Sequence, residues 1–282
     1  MKSETFWYKD KDGVEIFVYK WLPEGIPKAV VQVAHGLAEH AKRYTPVAEA
    51  LVKAGYAVYA DDHRGHGKTG EKFGKLGELG PRGWTGTVEA LVALTDIIKK
   101  EQTGIPVFLL GHSWGSFLSQ DYIQHWGNKL QGVLLTGTTG APNPKTDLGA
   151  EGLGLNYIVK NPKTPFDWLT RDENEVQKYI DDPLCGFSLP PSILQILGES
   201  NEKLLDTKND KNIPKELKVY IFVGTDDSVG GEEGAKVLVE RYQNAGIKDV
   251  SLKTYHGSRH ELFNELNRDE VIRDVISWLD SR

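Results

Sequence analysis

The chain has 282 residues, of which 39% are hydrophobic, so it can bury a sizeable core in one large α/β domain or two smaller ones. Its formal net charge of −6 argues against a general nucleic-acid-binding protein, which would carry a basic face. The single cysteine, Cys185, excludes an intramolecular disulfide and favours a reducing cytoplasm. The start of the chain has no signal-peptide pattern, and no stretch approaches ~18 consecutive apolar residues. We therefore expect a cytoplasmic protein without a membrane span.

Eight segments have the composition of β-strands. Residues 5–9 and 14–21 are rich in aromatic and β-branched residues on either side of a turn, which predicts a hairpin. Six further short segments are predicted as strands of a sheet: residues 29–34, 56–60, 105–110, 132–135, 217–223 and 250–255. Helical periodicity separates most of them, and this alternation predicts a mostly parallel sheet with helices on both faces. We expect an irregular, Gly-rich connection over residues 68–82 and a capping box of Asn267 with Glu270 at the last helix.

The alternation stops between residues 138 and 212. This segment is rich in proline and has short amphipathic pieces but no clear strand. It also carries many apolar side chains, which is not typical of a disordered linker. We predict a helical cap at 138–212, inserted after the sixth strand into a core formed by residues 1–137 and 213–282.

The run from Gly111 to Gly115 (Gly-His-Ser-Trp-Gly) follows a short apolar strand and precedes a helix-compatible segment. This is the context of a nucleophile elbow, in which a strained strand-to-helix turn exposes the serine hydroxyl. The glycines let the neighbouring strand and helix approach closely. Ser113 is thus the candidate nucleophile, although the pentapeptide alone also fits an ordinary Gly-rich turn.

A serine nucleophile needs a base that is oriented by a carboxylate, and in a parallel sheet these groups lie in loops at the carboxyl ends of strands. The loop after residues 217–223 contains Asp226 and Asp227, and we favour Asp227 as the acid. The loop after residues 250–255 contains His256 and His260. We favour His260 as the base, because His256 almost belongs to the preceding strand.

The oxyanion hole of such a site needs two backbone N–H donors. We expect them from Trp114, the residue after the nucleophile, and from Leu37, in the loop after residues 29–34. The side chain of His35 is expected to brace that loop. No carboxylate–histidine cluster at ligand spacing accompanies His63 and His66, and no phosphate-binding motif is present. The sequence therefore predicts neither a metal nor a cofactor.

Several motifs resemble the monoacylglycerol lipase and lysophospholipase group of α/β-hydrolases, of the serine aminopeptidase S33 type. They are residues 35–40 (His-Gly-Leu-Ala-Glu-His) with Arg43 and Tyr44, residues 62–67 (Asp-His-Arg-Gly-His-Gly), residues 111–115, Gly224 with Asp227, His260 with Glu261, and residues 182–187. The resemblance covers essentially the whole chain and implies an α/β-hydrolase fold. It also implies Ser113, Asp227 and His260 as catalytic residues and an oxyanion hole of Leu37 and Trp114. One departure is Trp114 itself, since the group usually has methionine there. We expect its bulky side chain to narrow the acyl pocket.

The resemblance implies a serine hydrolase of carboxylic esters that forms an acyl-serine intermediate. Its partner would be a small acyl ester, lipid-like or short-chain, with transient membrane contact and no nucleic acid. Two alternatives remain open at this point. One is an amidase, peptidase or acyltransferase on the same three residues, and the other is a hydrolase fold kept as a non-catalytic binding module.

Overall fold

The computed structural model describes residues 1–147, 151–188 and 191–282. Its centre is one eight-stranded sheet with the order β1-β2-β4-β3-β5-β6-β7-β8. The first two strands pair antiparallel with each other, β2 pairs antiparallel with β4, and all other pairs are parallel. The strands are β1 (Lys2–Lys9), β2 (Glu15–Leu22), β3 (Val30–Ala34), β4 (Ala57–Asp62), β5 (Val107–His112), β6 (Gly132–Thr136), β7 (Lys218–Gly224) and β8 (Asp249–Tyr255). The predicted eight-stranded, mostly parallel sheet is confirmed.

Helices cover both faces of this sheet. They are α1 (Thr45–Lys53), α2 (Gly67–Lys72), α3 (Gly83–Glu101), α4 (Trp114–Trp126), α5 (Glu173–Asp181), α6 (Pro191–Leu205), α7 (Gly231–Asn244) and α8 (Arg268–Asp280). Apolar residues of α1 and α8 pack into one buried cluster, and those of α3, α4 and α7 pack into another. The four central strands β3 to β6 are buried throughout, as expected of strands covered on both faces.

Two local predictions were wrong. Part of the expected irregular connection is the helix α2, whose first turn is tied to the sheet. The Asp62 carboxylate accepts from the Lys68 amide at 2.7 Å, and the Thr69 hydroxyl donates to the Asp62 carbonyl at 2.7 Å. At α8, the Asn267 side chain makes no capping bond to the helix backbone, and its amide nitrogen instead donates to Glu270. The Asn267 side-chain oxygen is bonded to Arg171 and to Ser258.

The segment between β6 and β7 contains the helices α5 and α6 and a 3₁₀ segment at Glu151–Ile158, and its described residues include no strand. It has a small apolar core of its own, formed by Leu155, Trp168, Leu169, Tyr179 and Cys185. Several of its residues line the same cavity as Ser113, so it lies over the carboxyl end of the sheet. The division into a core and a cap with boundaries at 138 and 212 stays a prediction.

Within the described ranges, the helices are all too short or too polar to cross a membrane.

Candidate active site

Ser113 lies in the sharp turn between β5 and α4. Its backbone has φ 52° and ψ −124°, a region that L-residues rarely adopt and that costs on the order of 1–3 kcal/mol. The turn is held by its neighbours, because the Ser113 amide donates to Thr136 at 3.0 Å and the Ser113 carbonyl accepts from the Ser116 amide at 2.8 Å. The backbone of the predicted nucleophile is therefore strained and fixed, as in an elbow.

The two glycines of the motif are required by close contacts. A Cβ atom on Gly111 would lie 2.5 Å from the Ser119 hydroxyl, and one on Gly115 would overlap the carbonyl oxygen of Ala34. Strand β3, strand β5 and helix α4 thus meet where no side chain fits.

His260 and Asp227 form a buried pair beside this turn. The His260 Nδ1 atom lies 2.9 Å from Asp227 Oδ1, which also accepts from the Val229 amide at 2.9 Å. An ionised carboxylate only accepts, so Nδ1 carries the proton and Nε2 is free to accept one. Nε2 is buried without a hydrogen-bond partner and lies on the cavity that Ser113 also lines.

The competing residues lie elsewhere. Asp226 is exposed and accepts from its neighbour Thr225, and His256 is exposed immediately after β8. The structure therefore brings together Asp227 and His260, and it leaves both alternatives on the surface.

The charge state of His260 is set by two opposing effects. Burial lowers the pKa of its imidazole, but the adjacent Asp227 carboxylate, with smaller contributions from Glu261 and Glu39, more than compensates, and the net result is a pKa above the ordinary value of 6.5. Such a histidine is neutral at alkaline pH and stabilised as an imidazolium when it accepts a proton. These are the properties of a general base.

Two backbone N–H groups remain the candidates for the oxyanion hole. Trp114 is the first residue of α4, so its N–H has no partner within the helix. Leu37 lies in the loop after β3 and lines both cavities that reach Ser113. His35 braces this loop as expected, because its Nε2 accepts from the His63 amide at 3.0 Å.

Two cavities meet at Ser113. The larger, of about 340 Å³, has a mixed polar and apolar wall that includes Glu39, Tyr179 and His260. The smaller, of about 180 Å³, is mainly apolar and is lined by Phe117, Leu155, Leu197, Leu204 and Val229, among others. Residues of both the sheet loops and the cap form the walls, so the space around Ser113 is enclosed from two sides.

Trp114 has a different environment from the one expected. It borders the smaller cavity, but its side chain is only 1% exposed and is turned into the core. Its ring stacks on His66 with a centroid distance of 5.2 Å and meets Trp84 edge-on at 6.3 Å. The indole therefore borders the smaller cavity while lying almost entirely in the core.

A buried charge network behind the site was not predicted. The Arg43 guanidinium donates to Glu39 at 2.7 Å and to both carboxylate oxygens of Glu261 at 2.6 and 2.7 Å. Burial alone would raise the pKa of Glu261, but the Arg43 guanidinium has the larger effect and lowers that pKa to about 2. These residues occur in the recognised motifs, yet their pairing joins positions 218 residues apart, for which the sequence carries no local signal.

One cluster of metal-ligand type lies in the described part of the chain, namely His40, Asp182 and Cys185. The Nε2 atom of His40 is already bonded to Asp182 at 2.9 Å. Burial raises the pKa of the Cys185 thiol, which therefore stays protonated, and the Arg43 cation is close enough to act on it. We interpret the cluster as a hydrogen-bonded contact between loop and cap. His63 and His66, at which the sequence predicts no metal, have other partners. His63 is bonded to Asp61, and His66 is bonded to a backbone carbonyl.

The family described as serine aminopeptidase, S33, matches residues 25–267, which is most of the chain. The chain belongs to this family. It is 32% identical to the monoacylglycerol lipase of Mycolicibacterium smegmatis over 275 residues, which cover 95% of this chain and 94% of that protein. It is 29% identical to the monoglyceride lipase of Mus musculus, with coverage of 96% and 88%.

A solved structure shares the whole architecture of this chain. A thermostable carboxyl esterase from Bacillus coagulans, solved in complex with glycerol, superposes with a TM-score of 0.91 at 28% identity, over 100% of this chain and 99% of that one. The predicted α/β-hydrolase fold and the resemblance to monoacylglycerol lipases are confirmed. The prediction of a serine hydrolase of carboxylic esters is likewise confirmed, at the level of the reaction class.

Proposed function

We propose that Ser113, His260 and Asp227 are the catalytic residues of this S33-family hydrolase, and that it cleaves monoacylglycerols or similar small esters. The observation that supports this most is the buried His260–Asp227 pair, whose free Nε2 atom lies on the cavity lined by Ser113. All three residues come from loops at the carboxyl ends of parallel strands, where such a site is expected.

In the proposed mechanism, Ser113 Oγ attacks the ester carbonyl carbon while its proton passes to His260 Nε2. The carbonyl π electrons move to oxygen, and the Leu37 and Trp114 N–H groups stabilise the oxyanion. The tetrahedral intermediate collapses to an acyl-serine, and the departing alcohol takes the proton from His260. Water then attacks the acyl carbon and gives a proton to His260. The second tetrahedral intermediate breaks its bond to Ser113 Oγ, which takes that proton from His260, and the carboxylic acid is released. Asp227 remains ionised and holds the imidazole in the required tautomer.

The two cavities suggest which part of the ester lies on each side of Ser113. The smaller, apolar cavity suits the acyl chain, and its volume of about 180 Å³ favours short to medium chains. The larger cavity has polar side chains in its wall and suits an alcohol such as glycerol. The cap supplies walls to both, so we propose that residues 138–212 act as a lid over the substrate.

A panel of esters tests this assignment. It should combine p-nitrophenyl esters and monoacylglycerols of increasing acyl length, with kcat and KM measured for each. We expect the highest kcat/KM for acyl chains of short to medium length. A glyceryl leaving group should not lower kcat/KM. A steady rise of kcat/KM to the longest chains would contradict the assignment of the acyl cavity.

Ser113→Ala tests the nucleophile in the same assays, together with labelling by a fluorophosphonate probe. The variant should lose ester cleavage and labelling, whereas the exposed Ser281→Ala control should keep both. Turnover by Ser113→Ala would overturn the proposal. Parallel assays with anilides and with alcohol acceptors distinguish an ester hydrolase from an amidase or an acyltransferase.

Exposed apolar side chains of the cap support the predicted transient contact with lipid. Tyr157, Ile158, Ile180 and Leu194 are each between 37% and 44% exposed. We propose that such residues meet the surface of a lipid aggregate during substrate uptake, and that this takes place in the cytoplasm. Co-sedimentation with vesicles and fractionation of the host cell would test the two parts separately.

A further inference from the structure

The loop that carries Leu37 is held by the cap at one backbone atom. The carbonyl oxygen of Ala38 accepts two hydrogen bonds, from the Tyr179 hydroxyl at 2.8 Å and from the Gly186 amide at 2.9 Å. Both donors belong to the cap segment, more than 140 residues further along the chain. Ala38 has φ 53°, an unfavourable conformation for a residue with a side chain. A strained backbone of this kind persists only where its surroundings hold it.

The other side of Leu37 is held by the core. The Gly36 amide donates to the Glu39 carboxylate at 2.6 Å, and that carboxylate is itself bonded to Arg43 and to Tyr44. The Gly36 amide and the Ala38 carbonyl, one on each side of Leu37, are therefore restrained independently, one from the core and one from the cap. The Gly36 carbonyl, which shares a peptide group with the Leu37 N–H, also lies 2.7 Å from His35 Nδ1. The direction of the Leu37 N–H depends on both restraints.

We propose that Tyr179 is a positioning residue for the oxyanion hole: its hydroxyl holds the Ala38 carbonyl so that the Leu37 N–H points at the developing oxyanion. This inference rests on the proposed function, in which Ser113 is the nucleophile and Leu37 supplies an oxyanion donor. Tyr179 itself acts through the loop and takes no part in the chemical steps.

The surroundings of Tyr179 suit this role. Its ring is buried against Phe166 at a centroid distance of 5.1 Å, and the Arg43 guanidinium lies 4.9 Å from the ring centroid on its face. A Cβ atom on Gly186 would come within 3.0 Å of the tyrosine ring, so the glycine leaves the space in which the ring lies. Burial raises the pKa of the Tyr179 hydroxyl well above its ordinary value, so it remains a donor at every working pH. A rigid ring with a permanent donor fixes the loop in a single position.

Tyr179→Phe removes the hydroxyl and little else. Losing an oxyanion donor outright costs about 10²–10³-fold, but here the donor remains and the Gly186 amide still holds Ala38, so we expect kcat to fall by about 5- to 20-fold. KM should stay unchanged. The fall should be equal for p-nitrophenyl butyrate and for monobutyrin, because the oxyanion is common to both. Affinity for a trifluoromethyl ketone, which forms a tetrahedral adduct with serine, should fall by the same factor.

Tyr8→Phe is the matched control, since the Tyr8 hydroxyl also donates to a backbone carbonyl, that of Ala90, at 2.8 Å. It should lose similar stability in thermal melts and keep full activity. Should Tyr179→Phe unfold, Gly186→Ala provides a second test, because its methyl group would push the ring while the hydroxyl is retained. We expect the same loss of kcat and of ketone affinity. Gly104→Ala, also at positive φ but with open space around it, controls for backbone strain.

The outcomes separate this inference from the proposed function. A loss confined to monobutyrin would mean that the hydroxyl contacts the glyceryl group, which overturns the inference. Unchanged kcat, or an effect on KM alone, would overturn it as well. Activity in Ser113→Ala would instead refute the proposed function. An inactive Ser113→Ala with a fully active, folded Tyr179→Phe would refute only the role of Tyr179.

Discussion

Replacing Asp227 with asparagine tests the base and the acid together. Asp227 Oδ1 accepts the Nδ1 proton of His260, and the side chains of both residues are almost completely buried. An asparagine amide has one acceptor oxygen and one donor nitrogen, and neither carries a charge. If the nitrogen faces His260, the imidazole must turn or adopt the tautomer with the proton on Nε2, which cannot accept a proton from Ser113. If the oxygen faces His260, the tautomer is kept, but the imidazolium loses its stabilising negative charge. We expect kcat/KM to fall by about 10²–10⁴-fold, the range of general-base catalysis.

The same substitution should move the pH dependence in a defined direction. In the native protein, burial lowers the pKa of His260, and the carboxylates around it, Asp227 first, raise it by more. In Asp227→Asn the largest raising contribution is lost, while burial remains. The acid limb of the pH profile of kcat/KM should therefore move to lower pH, because the histidine loses its proton more easily. A melting curve recorded for each variant distinguishes a lost base from a loss of folding.

The measurement is a pH profile of ester hydrolysis for the native protein, Asp227→Asn and Asp226→Asn. The Asp226 side chain is exposed and accepts from its neighbour Thr225, so its variant should retain activity within about twofold. A larger loss in Asp226→Asn than in Asp227→Asn would refute the assignment of the acid. An acid limb that stays in place in Asp227→Asn would refute the electrostatic account of His260.

Three further predictions follow from buried contacts. Glu261→Gln should lower the free energy of unfolding at pH 7 by about 3 kcal/mol, since Glu261 has a pKa of about 2 against 4.5 when exposed. The difference should shrink as the pH falls from 4.5 to 2, where the native carboxylate takes up its proton. Gly137→Ala places a Cβ atom 2.8 Å from His260 Cε1 and should lower kcat at least tenfold, unlike the unhindered Gly104→Ala. Trp114→Met should cost about 1–3 kcal/mol of stability. It should also broaden acyl-chain tolerance, because the smaller side chain leaves more room beside the smaller cavity.

Each of these predictions has a measurement that can contradict it. Urea unfolding gives the free energy of unfolding of Glu261→Gln and of the native protein at pH 7 and at pH 3. The difference between the two proteins should be smaller at pH 3, and an equal difference at both pH values would refute the pKa assignment. A normal kcat in folded Gly137→Ala would show that the histidine has room to shift. An unchanged chain-length profile for Trp114→Met would remove the indole from the acyl site.

Much of the fold could be predicted from local patterns. Apolar runs alternating with helical periodicity predict all eight strands. The runs are clearest in β3 to β6, which are buried on both faces of the sheet. The elbow was only partly local, because Gly111 makes room for the helix that follows it, whereas Gly115 makes room for Ala34 of β3. The helix α2 and the contacts of Asn267 at the start of α8 were missed, because the Asp62 carboxylate binds the Lys68 amide and the Asn267 side-chain oxygen is bonded to Arg171 and Ser258.

Only the tertiary structure decided which of two adjacent side chains meets a distant partner. Asp227 contacts His260 and Asp226 faces solvent, although both are aspartates at adjacent positions in the same loop. The hydrogen bond from the Tyr179 hydroxyl to the Ala38 carbonyl likewise joins segments 141 residues apart. Local sequence determines backbone conformation over a few residues, through sterics and periodicity. The direction of a side chain, and the partner it finds, depend on how the loops pack after the sheet has formed.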